Sequence, residues 1–302
     1  MKLLILGAGG LAGHAAALHF QERGHRVIGA ARRELTFCPT VRLDARRREE
    51  VAAAVGAEEY DAVINCVGIL NRAVDANPHE GIYLNACLPH LLAELTRDRK
   101  TRVIHLSTDC VFSGRRSGGG YREGDFCDAD SLYGRSKALG ELRDEKNLTF
   151  RTSIVGPDPN PEGVGLFNWF MRQEGAVSGY ATVVWNGVTN LVLARALEAA
   201  LEQGLGGLYH LAGPAPIGKY ELLRLFNGLR GKSAEIIEST AVRTDKSLAD
   251  GRGDFDFTMP TYAEMVNELG GWISAHEHLY PHYALKDAGE VFESGNSRKG
   301  SP

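Results

Sequence analysis

The sequence predicts an α/β protein: a doubly wound parallel sheet with helices on both faces, joined to a smaller C-terminal lobe. Three observations carry this. Short apolar runs alternate with helical patterns over the first two thirds of the chain. A glycine-rich loop joins the first apolar run to the first helical pattern. The alternation then stops at Gly156–Gly163, a stretch with three prolines in eight residues.

The elements follow in order. Leu3–Leu6 reads as a buried first strand rather than a signal peptide, and a helix follows near Leu11–Arg23. Gly24 and His25 turn the chain into a second strand, Arg26–Ala30, and Val41–Leu43 is a short third. Arg46–Val55 is helical, Ala62–Cys66 a fourth strand, Leu84–Arg97 helical and Arg102–Leu106 a fifth strand. Leu132–Asn147 reads as a helix, Leu148–Ser153 as a sixth strand, Leu191–Gln203 as a helix and Gly207–Leu211 as a seventh strand. Right-handed crossovers turn such a pattern into a doubly wound sheet. The main domain is assigned to residues 1–155 and 187–213, the smaller lobe to 156–186 and 214–293, and a disordered tail to 294–302.

The bulk numbers exclude several classes. With 302 residues there is ample material for a core, and 43% apolar with 24% charged residues is ordinary for a globular chain. The formal charge of −4 gives no basic surplus for nucleic acid or an anionic membrane. No run approaches the ~18 apolar residues of a membrane span. Cys38, Cys66, Cys87, Cys110 and Cys127 are scattered, without a C-x-x-C, which fits a reducing cytoplasm and no structural zinc. His276, Glu277, His278 and His282 read as packing and surface, so no metal is expected.

Gly7, Gly10 and Gly13 form G-x-x-G-x-x-G at the junction of first strand and first helix. Such a junction lets a pyrophosphate approach the backbone beside Leu11, where free N–H groups and the helix dipole favour negative charge. In this context the loop reads as the dinucleotide site of a Rossmann fold. At the end of the second strand, a carboxylate would select NAD and an arginine would accept the 2′-phosphate of NADP. Arg32 and Arg33 stand there, so NADP(H) is favoured, with NAD(H) the alternative. Asp44 is placed to meet the adenine amino group or to cap the helix beginning near Ala45.

Tyr133 and Lys137 are four residues apart, and on a helix they share a face. A ketone reduction needs a proton as hydride arrives. A tyrosine with pKa near ~10 becomes a usable acid when an ammonium stabilises its phenolate. Ser107 and Thr108 lie just past the fifth strand, where an open parallel sheet lines its ligand crevice, and the Thr108 hydroxyl can donate to a substrate carbonyl.

With these residues the chain resembles the extended short-chain dehydrogenase/reductase family. Within it, it is similar to the dTDP-4-dehydrorhamnose reductases, a group of sugar-nucleotide reductases. The stretches that carry the likeness are Ser107–Asp109 with Val111 and Phe112, Tyr133–Lys137 followed by Gly140 and Glu141, Arg151–Ser153, and Gly207–Leu211. The likeness covers about residues 1–290 and implies Thr108, Tyr133 and Lys137 as the catalytic set. It also implies that Cys66, Val67 and Gly68 run along the cofactor, that Asn85 serves a proton relay, and that Ser153, Ile154 and Val155 pass beside the nicotinamide. A cytoplasmic homodimer acting on a nucleotide-linked 4-keto-6-deoxy sugar in polysaccharide biosynthesis is the corresponding expectation.

Asp109, Val111, Phe112, Trp185, Asn186 and Arg243 are the expected substrate contacts, with Trp185 either stacking on a ring or anchoring the two lobes. Charge alone adds Lys246 and Arg252 as diphosphate ligands, and Arg115–Gly120 as a mobile loop near the site. The chain departs from the resembled pattern at Ile154, Cys110 and Val188, which leaves the sugar open. Two alternatives stand beside the reductase. One is an epimerase/reductase of the GDP-fucose-synthase type using Cys110. The other is a non-catalytic, NADP-binding regulatory subunit.

Overall fold

The computed structural model describes residues 1–229 and 234–283. The expected tail, 294–302, and the end of the smaller lobe, 284–293, lie outside the described residues.

Six strands, β1 (Lys2–Leu6), β2 (Arg26–Ala31), β3 (Thr40–Arg42), β4 (Ala62–Asn65), β5 (Arg102–Thr108) and β6 (Leu148–Thr152), and a seventh, Gly207–His210, form one sheet. Its order is β3-β2-β1-β4-β5-β6-(207–210), and every pairing is parallel. The order reverses between β1 and β4, so the chain leaves a crevice outside their carboxyl ends. Both faces are covered, as a parallel sheet requires. Leu3 and Ile5 pack on one side with Ala16, Phe20, Val192 and Leu197. Leu4 and Leu6 pack on the other with Val51, Val63, Leu88 and Val103.

Two helices depart from expectation. The segment expected as Leu84–Arg97 is a helix at Pro78–Ile82, a π-turn at Tyr83–Cys87 and a helix at Leu88–Leu95. The widened turn falls at Asn85, whose side chain ties a neighbouring loop (below). The segment expected as Leu132–Asn147 ends at Leu139. Gly140 presses on the Asn85 backbone, where a Cβ would lie 2.0 Å from its carbonyl oxygen. Beyond it Glu141 is drawn inward to Arg151, and both backbone groups of Leu142 bond to the Thr149 hydroxyl. Long-range partners, not local propensity, stop this helix.

The smaller lobe carries a core of Phe167, Phe170, Trp185, Leu222, Phe226, Leu269 and Ile273. It holds short strands that the sequence pattern does not reveal. Ala176–Tyr180 pairs in parallel with Glu235–Ser239, and Val183–Trp185 lies between Ile217–Gly218 and Thr244–Asp245. At the seam, Ile154–Val155 pairs in parallel with Val188–Thr189. The C-terminal helix, Tyr262–Ala275, opens on a capping box between Thr261 and Glu264. No helix among the described residues is long and apolar enough to cross a membrane.

Candidate active site

The glycine loop leaves β1 with Gly7 at φ 74°, a conformation that favours glycine, and the Gly10 N–H closes the turn on the Gly7 carbonyl at 3.0 Å. A Cβ on Gly13 would lie 2.2 Å from the Gly7 oxygen, so the first turn of the Gly13–Glu22 helix fits the loop only without one. Gly10 differs. It is exposed, and a Cβ there would meet no protein atom nearer than 3.5 Å. The fold leaves room at Gly10, and a side chain would fill the open side of the cradle that a pyrophosphate needs. The residues present therefore fit a dinucleotide.

At the far end of the cradle, Arg32 and Arg33 are exposed beyond β2. Asp44 is held by Arg46 at 2.9 Å, and this guanidinium, with the Arg46 backbone N–H and Arg32 adding, pulls its carboxyl down to about 2. The adjacent helix starts at Arg48, so Asp44 is not its N-cap. Leu11, on the near side, gives its carbonyl to the Asn190 amide at 3.1 Å.

Thr108, Tyr133 and Lys137 come together at the carboxyl end of β5, all buried. Ser131 caps the helix that carries Tyr133 and Lys137, and Gly134 lets that helix lie against the Cys110 carbonyl, where a Cβ would sit at 2.1 Å. The Thr108 hydroxyl accepts from the Cys110 N–H at 3.1 Å and donates to the Asp109 carboxylate at 3.0 Å. Burial pushes the Tyr133 phenol well above its usual range, with the neighbouring Cys110 adding and a hydrogen bond to Thr108 opposing. Tyr133 is thus a firmly protonated acid in the resting protein.

Lys137 has the opposite shift. Burial brings its amine down to about 8, against the pull of Glu141 and Cys66. Its Nζ donates to the Leu106 carbonyl and lies 3.2 Å from His105 Nε2. Gly68 faces it, with a Cβ position 4.0 Å from Nζ. The loop Cys66–Ile69 is tied from both sides. The Val67 N–H donates to Asn65 Oδ1 at 3.1 Å, and the Asn85 amide bonds both backbone groups of Ile69 at 2.9 Å. Asn85 Nδ2 also reaches Ser136 Oγ at 3.1 Å. The Asn85 side chain is therefore committed to positioning this loop, which the expected relay role did not include. Burial raises the Cys66 thiol to about 12, so it is a neutral wall.

Sequence reasoning missed the network behind the site. Arg151, with a fully buried side chain, is gripped by Glu141 through Nε at 2.6 Å and Nη2 at 2.7 Å. Ser107 spends its hydroxyl on the same carboxylate at 3.0 Å. Arg151 Nη1 also meets His210 Nε2 at 3.1 Å, while His210 Nδ1 faces the carbonyls of Tyr121 and Ala249. The signal available in sequence was an arginine inside a predicted central strand, which is rarely buried without a partner.

Several expected substrate residues are placed behind the site rather than in it. Val111 and Phe112 are fully buried. Phe112 stacks on Tyr121 at 4.2 Å, beneath the Arg151 guanidinium. Trp185 donates its indole N–H to Ser153 Oγ at 2.8 Å and packs on Tyr262 at 5.5 Å, so it is the anchor between the lobes and not a stacking platform. The Asn186 amide is used up on both backbone groups of Leu248, at 2.6 and 2.9 Å. Arg252 turns to Asp254 and to the carbonyls of Gly206 and Leu208, at the amino end of the seventh strand and so away from the crevice. Arg115 and Arg116 pair with Asp130 and Asp125. Their loop is stitched to the smaller lobe, with the Gly114 carbonyl bonded by Asp245 N–H and the Gly120 N–H by Ser247 Oγ.

Other residues stand nearer the chemistry. Asp109 is raised by burial but lowered by Lys246 and, more weakly, by Lys219, so both lysines face it from the smaller lobe. Lys219, the first residue of the Lys219–Asn227 helix, had no sequence signal. Arg243 is exposed just ahead of the Thr244–Asp245 strand. Ile154 and Val155 form the seam strand with Val188 and Thr189, and Ser153 stands just before it. A cavity of about 340 Å³ lies beyond Asn186, lined by Leu211–Pro216, Phe255 and Phe257, with no catalytic candidate in its wall. No group of three or more metal-ligating side chains is arranged to hold an ion among the described residues.

Known proteins resemble this chain. A family model described as the RmlD substrate binding domain matches residues 1–247. The chain is 30% identical over 257 residues to a probable low-salt glycan biosynthesis reductase of Haloferax volcanii, covering 80% of this chain and 84% of that one. It is 26% identical over 242 residues to the dTDP-4-keto-6-deoxy-D-glucose reductase of Streptomyces niveus, covering 76% and 79%. Among solved structures, a hypothetical dTDP-4-dehydrorhamnose reductase of Sulfolobus tokodaii aligns with a TM-score of 0.73 at 24% identity, over 87% of this chain and 98% of that one. A Bacillus anthracis dTDP-4-dehydrorhamnose reductase in complex with NADP gives 0.74 at 18% identity, over 89% and 98%. At such identities the structures speak for the fold, while the match of the family model over most of the chain speaks for descent. The chain belongs to the RmlD substrate binding domain family.

Proposed function

We propose that this protein reduces the keto group of a nucleotide-linked 4-keto-6-deoxy sugar with NADPH. The observation that carries the reading is the meeting of Thr108, Tyr133 and Lys137 at the sheet edge that also presents the glycine loop. Arg32 and Arg33 favour the 2′-phosphate form, with NADH the alternative. A bound reduced nicotinamide supplies the hydride.

The rest is done by the chain. Tyr133, held protonated by burial, gives its proton to the carbonyl oxygen as negative charge develops there. The Lys137 ammonium stabilises the phenolate left behind. Thr108 orients the carbonyl when its hydroxyl turns from Asp109. Lys219 and Lys246, facing Asp109, hold the diphosphate, with Arg243 at its rim. The five free cysteines and the resemblance support a cytoplasmic homodimer working in glycan biosynthesis.

An epimerase role for Cys110 has weaker support. Burial raises its thiol to about 11, so little thiolate is available as a base. His210, a conceivable partner, has its ring nitrogens engaged by Arg151 and two carbonyls. The test is loss of reduced-nicotinamide absorbance with NADPH or NADH and a panel of dTDP-, UDP- and GDP-linked 4-keto-6-deoxy sugars. Oxidation with one member is expected. Tight NADPH binding without oxidation by any member would favour the regulatory-subunit reading.

A further inference from the structure

His105 has no part in the mechanism above, yet it is fully buried between the catalytic lysine and the cofactor loop. Its Nδ1 lies 3.1 Å from Asn65 Nδ2, and its Nε2 lies 3.2 Å from Lys137 Nζ. The orientation of the Asn65 amide is fixed from its other end. The Val67 backbone N–H can only donate, and it donates to Asn65 Oδ1 at 3.1 Å. The Asn65 NH₂ must therefore face the imidazole, and Nδ1 must accept. A neutral imidazole carries one hydrogen, so that hydrogen sits on Nε2 and points at Lys137.

An ammonium has only donors and cannot receive it. The arrangement in the structure thus belongs to a neutral amine at Lys137, whose lone pair accepts from Nε2–H while an amine hydrogen goes to the Leu106 carbonyl. When Lys137 takes up a proton from solvent, the imidazole hydrogen has to move from Nε2 to Nδ1. The Asn65 amide then turns over to accept it, and the Val67 N–H loses its acceptor.

We propose that His105 and Asn65 tie the charge of the catalytic lysine to the backbone of the cofactor loop at Val67. His105 acts here as a positioning residue. Val67 N is also one of the atoms nearest the Gly7 turn, 3.1 Å from where a Gly7 Cβ would lie, so the two loops feel the same change. The groups facing Lys137 are Glu141 from the segment just beyond the end of its own helix, Cys66 from the loop after β4 and His105 from β5, with Tyr133 one turn back. His90 acts on His105 from the Leu88–Leu95 helix. Glu141 is the one carboxylate among them, and it is already bound to Arg151. The lysine titrates at about 8, which puts the exchange within reach of ordinary pH.

The inference deepens the proposed function but has its own readout. In the ¹⁵N-labelled full chain, the His105 ring nitrogens are followed from about pH 6 to about pH 10, a span bracketing the histidine and lysine ranges. The signals are assigned by their loss in His105→Asn. Above the midpoint the unprotonated nitrogen is expected to be Nδ1, and below it Nε2. In Asn65→Asp the carboxylate accepts from both Val67 N–H and Nδ1–H. The Nδ1–H form should then persist at every pH, with Lys137 keeping its proton to higher pH. An Nδ1–H ring at all pH values in the unmodified protein overturns the inference, and this decides the matter even if Asn65→Asp fails to fold. An unchanged midpoint in a folded Asn65→Asp protein also overturns it. Absence of NADPH oxidation would count against the reductase alone, since the ring titration needs no substrate.

Discussion

Two cations are buried near the carboxyl edge of the sheet, and they are treated in opposite ways. Burial alone would weaken the charge on Arg151, but the bidentate Glu141 carboxylate overcomes it and holds the guanidinium above its usual range. Lys137, on the helix that leads to Glu141, has no carboxylate of its own, and burial brings it down to about 8. The difference teaches what each is for. A compensated charge is permanent and fixes where β6, the seventh strand and the Tyr121–Glu123 segment meet. An uncompensated one can gain and lose a proton, which acid–base chemistry requires.

The sharpest way to break the comparison is at the titrating side. Tyr133→Phe should cut turnover by about 10²–10⁴-fold while NADPH binding, followed by fluorescence, stays intact. Retained turnover would remove Tyr133 as proton donor. On the permanent side, Glu141→Gln leaves Arg151 buried without its counter-charge and should cost about 3–5 kcal/mol of stability in urea unfolding. Replacing both partners by apolar residues of similar volume should cost far less, because no bare charge remains.

A third prediction concerns a buried group that never charges at neutral pH. His14 receives from Tyr280 OH at 2.7 Å and gives to the Gly10 carbonyl at 2.9 Å, and burial lowers it from 6.5 to about 4. Its folded-state value is depressed, so its contribution is fully present above pH 6.5 and is lost as pH falls through about 4. The loss amounts to about 3 kcal/mol, read as a fall in urea midpoint that a His14→Gln protein should not show over the same window. If both proteins lose stability in parallel, His14 is not the group responsible.

Smaller effects separate fold from ligand at the glycine loop. Gly13→Ala should destabilise by about 1–3 kcal/mol through its clash with Gly7. Gly10→Ala should leave the melting temperature unchanged yet weaken NADPH binding about tenfold, near 1.4 kcal/mol. Equal effects of the two on melting would mean that Gly10 serves the turn and not a phosphate. The smallest expected change is in coenzyme choice. Arg32→Ala should weaken NADPH by about 1 kcal/mol and leave NADH unaffected, as fits one exposed charge-assisted contact.

Much of this was legible in the chain itself. The strand and helix order followed from apolar periodicity, because a parallel sheet buries both faces and its strands read as apolar runs. The glycine spacing and the four-residue Tyr133–Lys137 interval are local geometry. The substrate side was far less legible. Trp185, Asn186 and Phe112 looked like ligand contacts from residue type, but their partners, Ser153, Leu248 and Tyr121, lie 32, 62 and 9 positions away in the chain. Lys219 reaches the site only because a short strand and helix of the smaller lobe bring it toward Asp109.

The sequence by itself thus determined the doubly wound sheet, the glycine cradle and the pairing of Tyr133 with Lys137 that the proposed chemistry uses, since each depends on spacing along one or two consecutive elements. The tertiary structure decided how those groups are charged. A helix ends at Leu139 because Gly140 meets Asn85, Glu141 is then free to bind Arg151, and Lys137 is left with an imidazole for a neighbour. Charge state depends on burial and on partners across strands, and neither is written in local spacing.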